Sequence, residues 1–405
     1  MTDQSHAAHR PGISRRAGLG LLGAALAAPA LAQPRSPGAA PWSTAWTATL
    51  QRQGSPPSVG GRTLSIPVRL SVGGGALRLR VSNEFGAKPL TIGAASLVIG
   101  GRRLPLAFGG KPGLTLPPGA PALTDPASLT VQALDRAEVR LFLPDADVLA
   151  ETFQRGPGAK GMTISPPGDF TAAEAPPAGA DAALAFLSAM EVSGPRRPGL
   201  VIFGDTKSAG PGTWPDFLVE LTGGRIAVAN RSQYAGLMSL GPAGDSGLAR
   251  FDRDVLTVAG ASHVLIFNGN NDLIQPGTMG SGGKPLLDPA LTQSVDQLIA
   301  AQAQAATRAR AAGLKVVGGT WLPYDGVPIE GYSTPEKAAK RMAVNAWMRS
   351  SKAFDLVIDF EAALRDPADP KRLALPYDSG NRFTPSEAGY RRMAEAAWAR
   401  LKPLA

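Results

Sequence analysis

Leu64, Ile66, Val68 and Leu70 alternate with other residues, and Leu77, Leu79 and Val81 alternate with Arg78, Arg80 and Ser82. Val139, Leu141 and Leu143 repeat the pattern after further turns. A period of two puts every second side chain on one face, so each run reads as a half-buried strand. Gly and Pro punctuate the runs, which favours short antiparallel strands in a sandwich. This texture extends from Trp42 to about Gly194. Residues 42–194 are therefore expected to form an all-β sandwich domain. Within it, the Ala/Pro/Gly-rich stretch 174–182 is expected to be a loop.

After Pro198 the pattern changes. Short apolar runs appear at Gly199–Phe203, Ile226–Ala229, His263–Phe267, Leu314–Val317 and Phe354–Ile358. Helical patterns lie between or after them, at 286–312, 335–351 and 386–402. The last is preceded by Thr384-Pro385-Ser386-Glu387, a plausible N-cap with an early Glu. Buried strands alternating with helices predict an α/β fold, a parallel sheet covered on both faces, over residues 195–405. In such sheets, ligand chemistry gathers at the carboxyl ends of the strands.

The chain's beginning reads as an address. Ser14-Arg15-Arg16 precedes an apolar run from Ala17 to Ala28, and Ala30-Leu31-Ala32 follows. A charged start, a short apolar run and small residues at a cleavage point make an export signal over 1–32. The paired arginines suggest the twin-arginine route, hence a periplasmic or secreted protein. The run is shorter than the ~20 residues that span a bilayer, so no integral membrane segment is expected after cleavage. Residues 33–41, rich in Pro, Gly, Ser and Ala, read as a linker.

Composition narrows the chemistry. With 44% hydrophobic and 18% charged residues, the balance is globular rather than disordered. The absence of cysteine excludes disulfides, thiolate metal sites and a cysteine nucleophile. The formal charge is +9, and losing residues 1–32 removes three arginines and one aspartate, leaving +7. No run of consecutive Lys/Arg exceeds two, so the charge reads as a solvated surface and no nucleic-acid partner is expected. No His/Asp/Glu set has metal-ligand spacing, and no metal or other cofactor is expected.

The strand ends carry a distinctive set of residues. Phe203-Gly204-Asp205-Thr206 follows the first run and Asn230 the second. Gly269-Asn270-Asn271-Asp272 follows the third, and Tyr377–Tyr390, YDSGNRFTPSEAGY, precedes the last helix. In this order and on these elements they resemble the four sequence blocks of the SGNH/GDSL hydrolases. Arg250-Phe251-Asp252-Arg253-Asp254-Val255-Leu256, Gly318-Gly319-Thr320 and Arg341…Asn345-Ala346-Trp347 resemble a branch of that family with an N-terminal β-sandwich. Ser82-Asn83-Glu84-Phe85-Gly86 and Leu106–Gly110 resemble that sandwich. The resemblance covers nearly the whole chain after the leader. It implies an SGNH-type, flavodoxin-like α/β/α domain preceded by an all-β sandwich.

The resemblance also implies site residues. The family's serine nucleophile falls on Thr206, its histidine on Thr384, and the aspartate that orients the histidine on Asn381. The oxyanion-hole glycine falls near Ala235, with Gly236 next to it, and the oxyanion-hole asparagine is kept as Asn271. Asp205 is expected to hold the turn's backbone, and Asp272 is a further residue of the cleft.

A hydroxyl is a poor nucleophile until a base within reach removes its proton, and that base needs a pKa near neutrality. Thr384 is no base at neutral pH, and Asn381 carries no charge to stabilise an imidazolium. His263 is the one histidine beyond the leader. It starts the third strand, roughly 15–20 Å from the carboxyl end at ~3.3 Å per residue. A Ser–Lys type of mechanism is a known variant, but Lys207 adjoins Thr206, and neighbouring side chains diverge.

The expectation is an exported family member with degenerate catalytic residues, an inactive ester-hydrolase homologue. It would bind a small-molecule ester or an acylated carbohydrate. One alternative is an active carboxylic-ester hydrolase using Thr206 as nucleophile. Another is a structural or assembly protein acting through the β-sandwich.

Overall fold

The computed structural model describes residues 40–52, 54–154, 161–241 and 245–404. The expected export signal, and the expected linker up to residue 39, lie outside the described residues. Ala40–Ala405 forms one contact unit.

The alternating runs become antiparallel strands. Arg62–Arg69 pairs with Arg136–Leu143, which pairs in turn with Ala94–Ile99. Gly74–Ser82 pairs with Leu187–Ser193, and that strand with Trp42–Thr47. The two sheets share one core: Leu64, Ile66, Leu77, Leu79, Val139 and Leu141 pack in a single cluster. Their opposite faces carry the alternating polar residues, as a sandwich requires. Stretch 174–182 is not all loop. Ala180–Ala182 forms a short strand antiparallel to Met162–Pro167, because pairing there continues the sheet edge despite a loop-like composition.

Five parallel strands build the second half. Their spatial order is Ala227–Asn230, Gly199–Gly204, His263–Phe267, Lys315–Gly319 and Leu356–Ile358. The chain starts inside the sheet, steps to one edge and then crosses to the other side. That reversal opens a crevice at the carboxyl ends beside the first strand. Gly199–Gly204 is buried along its whole length, which explains its unbroken apolar run.

The helical expectation holds for Pro335–Ser350 and for Glu387–Leu401, whose N-cap is Ser386. It fails at 286–294. There the chain makes only a 3₁₀ turn, Pro289–Leu291, and the helix begins at Val295 behind a capping box formed by Ser294 and Gln297. Pro289 and a strong cap at Ser294 override the Ala/Gln periodicity downstream. No helix among the described residues is long and apolar enough to cross a membrane.

The two halves meet along the first sandwich strand. Thr47 Oγ1 donates to the Asn230 carbonyl at 2.8 Å, and Thr44 N donates to the Ala259 carbonyl at 3.0 Å. Val228 N donates to Ser71 Oγ at 3.0 Å, and Arg231 Nη1 to the Ala48 carbonyl at 2.9 Å. Residues leading toward the strand-end crevice are thus braced by the sandwich.

Candidate functional site

The crevice is built outward from Gly204. A Cβ there would lie 2.6 Å from Ser232 Oγ and 2.8 Å from Ser208 Oγ, so only glycine lets the next turn fold back this closely. In that turn the buried Asp205 accepts from Lys207 N at 3.1 Å, and Ser208 N donates to the Asp205 carbonyl at 2.9 Å. Trp214 Nε1 donates to Ser208 Oγ at 2.8 Å and ties the turn to the following helix, Trp214–Thr222. Asp205 therefore holds backbone. Burial raises its carboxyl above the usual range, against the pull of Lys207 and of the Lys207 N–H.

Thr206 is half-buried at the head of this turn. Its Oγ1 accepts from Ala235 N at 2.9 Å. Ala235 has φ +56°, the left-handed region that favours glycine. The turn receives the Ala235 N–H, while Gly236 N donates to the Gln233 carbonyl at 3.0 Å. Gln275 Nε2 donates to the Ala235 carbonyl at 3.2 Å, and Asn271 Nδ2 to the Gly236 carbonyl at 2.9 Å. Thr206, Ala235, Gly236 and Asn271 thus form one connected group, and Asn271 is buried on the short helix Asn270–Ile274.

Asp272 is committed elsewhere. It accepts from Met238 N at 2.6 Å, Ser239 N at 2.8 Å, Leu240 N at 2.9 Å and Ser239 Oγ at 2.8 Å. With no exposed surface, it clamps the loop after Ala235 rather than facing a ligand. Burial raises its carboxyl, while those four donors oppose the rise.

Asn381 and Thr384 come together on the loop before the last helix. Asn381 Nδ2 donates to Thr384 Oγ1 at 3.1 Å. Asn381 Oδ1 accepts from Phe383 N at 3.1 Å and Thr384 N at 2.8 Å. Ser379 N donates to the Thr384 carbonyl at 3.0 Å and closes the loop. The loop meets the Thr206 turn through Phe383, whose ring centroid lies 5.7 Å from Lys207 Nζ. Tyr332 packs on Phe383 at 5.3 Å. Burial raises the phenols of Tyr332 and Tyr390, Tyr390 to about 12, and each also feels Asp205. Sequence reasoning passed over this aromatic wall, since Tyr332 sits in no motif.

His263 lies at the far end of its strand. It pairs with Leu200 and Lys315, and its Nδ1 shares a 2.8 Å hydrogen bond with Ser262 Oγ. Burial and Lys315 lower its pKa. Leu200 and Gly204 are four residues apart along the neighbouring strand, about 13 Å at ~3.3 Å per residue. His263 thus serves strand entry and not the crevice.

A five-stranded parallel sheet with helices, followed by a loop and the last helix, makes an SGNH-type α/β/α domain. The model of the GDSL-like lipase/acylhydrolase family matches residues 201–392. The C-terminal half of the chain is a domain of that family, and an all-β region precedes it.

Three similar solved structures span the range of coverage. A protein assigned to the G-D-S-L lipolytic family from Desulfitobacterium hafniense has 21% identity, with 50% of this chain and 98% of that one covered and a TM-score of 0.37. A GDSL-like lipase from Bacteroides thetaiotaomicron has 19% identity, 51% and 89% coverage and a TM-score of 0.39. A Bacillus subtilis protein has 16% identity, 84% and 80% coverage and a TM-score of 0.37. No curated protein matches the sequence.

Proposed function

We propose that this chain is an exported, non-catalytic SGNH-fold protein that uses its strand-end crevice to bind an ester or an acylated carbohydrate. The observation that carries the reading is the Asn381–Thr384 pair. Where the family places a charged orienter and a base, an amide donates to a hydroxyl at 3.1 Å. Neither group takes up a proton at neutral pH. The Thr206 oxygen already receives the Ala235 N–H at 2.9 Å, which withdraws electron density from the atom that would attack. Loss of a working Ser–His–Asp unit costs roughly 10⁴–10⁶ in kcat, and the losses do not add. What persists is Asn271, whose amide keeps one N–H for a ligand oxygen beyond the bond it gives the Gly236 carbonyl at 2.9 Å.

Initial rates on p-nitrophenyl acetate and butyrate test this. The chain is expected to show no turnover above the protein-free background, and Thr206→Ala to change nothing. Enzyme-dependent turnover that Thr206→Ala abolishes overturns the reading. Export rests on Arg15-Arg16 and the apolar run behind them. Replacing both arginines with lysine is expected to hold the protein in the cytoplasmic fraction, and unchanged fractionation would sink the twin-arginine route.

A further inference from the structure

A second recess lies where the two halves meet. It holds about 370 Å³, and its walls include residues 45–47 and 67–69 of the sandwich and Pro211, Asp216 and Asn230 of the α/β half. That volume falls within the roughly 300–1,000 Å³ of small-molecule sites. Thr206, Ala235, Asn271, Asn381 and Thr384 are not among its walls.

Some of its polar groups are answered by the fold. Thr47 Oγ1 donates to the Asn230 carbonyl at 2.8 Å. The Asn230 side chain spends both ends, Nδ2 on the Ser208 carbonyl at 2.7 Å and Oδ1 on Ser232 N at 3.1 Å. Arg69 and Asp216 are different. Arg69 gives Nη1 to Glu220 at 2.8 Å, and neither its Nη2 nor its buried Nε has an acceptor among the described residues. Asp216, an exposed residue, takes the Gly212 N–H on Oδ2 at 2.7 Å and keeps Oδ1 for another donor. Desolvation raises its carboxyl, while the Gly212 N–H and the charge of Arg69 pull it down, so the two side chains feel one another. Gln154 adds an amide to the same walls.

The recess thus offers donors and an acceptor together, with charges that balance. Arg69 and Arg136 line it, and Asp216 and the Glu220 partner of Arg69 oppose them. A carboxylate ligand would meet Asp216, and an ammonium would meet the two arginines. A hydroxyl suits both, because it donates and accepts. Trp46, Pro67, Pro211 and Pro215 supply the apolar surface, and an indole offers a broad face for C–H groups. An uncharged molecule with many hydroxyls and a C–H face is a sugar ring.

We propose that this recess is a carbohydrate subsite that takes an uncharged sugar unit and is separate from the Thr206 crevice. It goes beyond the crevice's role and does not depend on whether the crevice turns over an ester.

Calorimetric titration of the chain with cellobiose, xylobiose, mannobiose and N,N′-diacetylchitobiose tests this. At least one is expected to bind with a Kd below about 1 mM, and its affinity to hold as chloride is raised about 10-fold. Asp216→Asn keeps an acceptor for the Gly212 N–H and turns the other carboxylate oxygen into a donor. It is expected to weaken binding at least about 10-fold with an unchanged thermal midpoint. Trp46→Leu is expected to weaken it similarly, and Thr206→Ala to leave it unchanged. Absence of binding by all four sugars, an Asp216→Asn affinity within about 2-fold of wild type, or loss of binding in Thr206→Ala, which would put the sugar in the crevice, overturns the proposal. Turnover in the p-nitrophenyl ester assay sinks the non-catalytic reading and leaves this site standing.

Discussion

A chain carrying Thr206→Ser, Asn381→Asp and Thr384→His together is expected to hydrolyse p-nitrophenyl acetate at least about 100-fold faster than the wild-type chain. Two of those three groups already meet, and their loop reaches the Thr206 turn through Phe383 and Lys207. Asn381 already lies 3.1 Å from Thr384 Oγ1, and its Oδ1 is held by two backbone N–H groups of the same loop. An aspartate keeps those two acceptances with one oxygen and offers the other to an imidazole. The turn that presents Thr206 is fixed by Asp205 and Ser208 and needs no change. Asn271, bonded to the Gly236 carbonyl, keeps a second amide N–H that a developing oxyanion can accept from. A complete triad is worth roughly 10⁴–10⁶ in kcat, so recovery of a modest part of it reaches 100-fold.

The single changes are expected to do almost nothing. A base without its orienter adopts the wrong tautomer, and a serine without a base is as inert as the threonine. Activity of the triple variant should rise through the imidazole range, near pH 6.5, as the base loses its proton. Adding Ala235→Gly relieves the left-handed backbone at φ +56° and is expected to help rather than harm. A folded triple variant that stays at background, with and without Ala235→Gly, would falsify the assignment of Asn381 and Thr384 to the family's catalytic positions.

Much of this was legible in the chain. The five buried strands announce themselves by apolar runs ending in polar residues, because a parallel strand covered on both faces tolerates nothing else. Ser386 marks a helix start through chemistry local to a few residues. What stayed hidden depends on partners far away in sequence. That Ala235 rather than Gly236 gives its N–H to Thr206 follows from the path of a loop and leaves no trace in composition. Asp272 looks like a cleft residue until three backbone amides of 238–240 are seen to occupy it. The short helices at Gly247–Phe251 and Asn270–Ile274 span too few residues to show a period. Lys207 reads from its neighbours as a diverging side chain, and only the fold shows it buried beneath a ring from residue 383.

The Arg250–Leu256 motif was recognisable as a pattern without a reason, and the structure supplies one. Asp254 is 3% exposed and sits among cations. It accepts from Arg250 Nη1 at 2.7 Å and from Arg253 Nε at 2.8 Å. Arg250 stacks 4.4 Å from the Phe203 ring, under the first parallel strand. Arg253 lies 5.1 Å from the ring of Phe85, which belongs to the sandwich stretch Ser82–Gly86. Arg231, also buried, reaches the Ala48 carbonyl of the sandwich at 2.9 Å. Asp254 thus sits at the centre of the three arginines that join the two halves, and Glu84 adds a second negative charge beside Arg231 and Arg253.

Burial alone would raise the Asp254 carboxyl, but Arg250, Arg253 and Arg231 outweigh it and hold the value at about 2, below the ordinary 3.8. Because the folded value is depressed, the stabilisation is present above pH 4 and is lost as pH falls from about 4 to about 2. It is worth on the order of 2 kcal/mol. Asp254→Asn keeps the shape and removes the charge, leaving buried guanidinium groups unanswered. Breaking one partner of such a cluster costs about 3–5 kcal/mol. The variant is expected to unfold in urea with a stability at pH 7 lower by about that amount, and its stability should change less than the wild type's between pH 4 and pH 2. A loss under about 1 kcal/mol, or acid curves that run parallel, would show that the arginines are solvated well enough without Asp254 and that the two halves are held by the sandwich's backbone contacts instead.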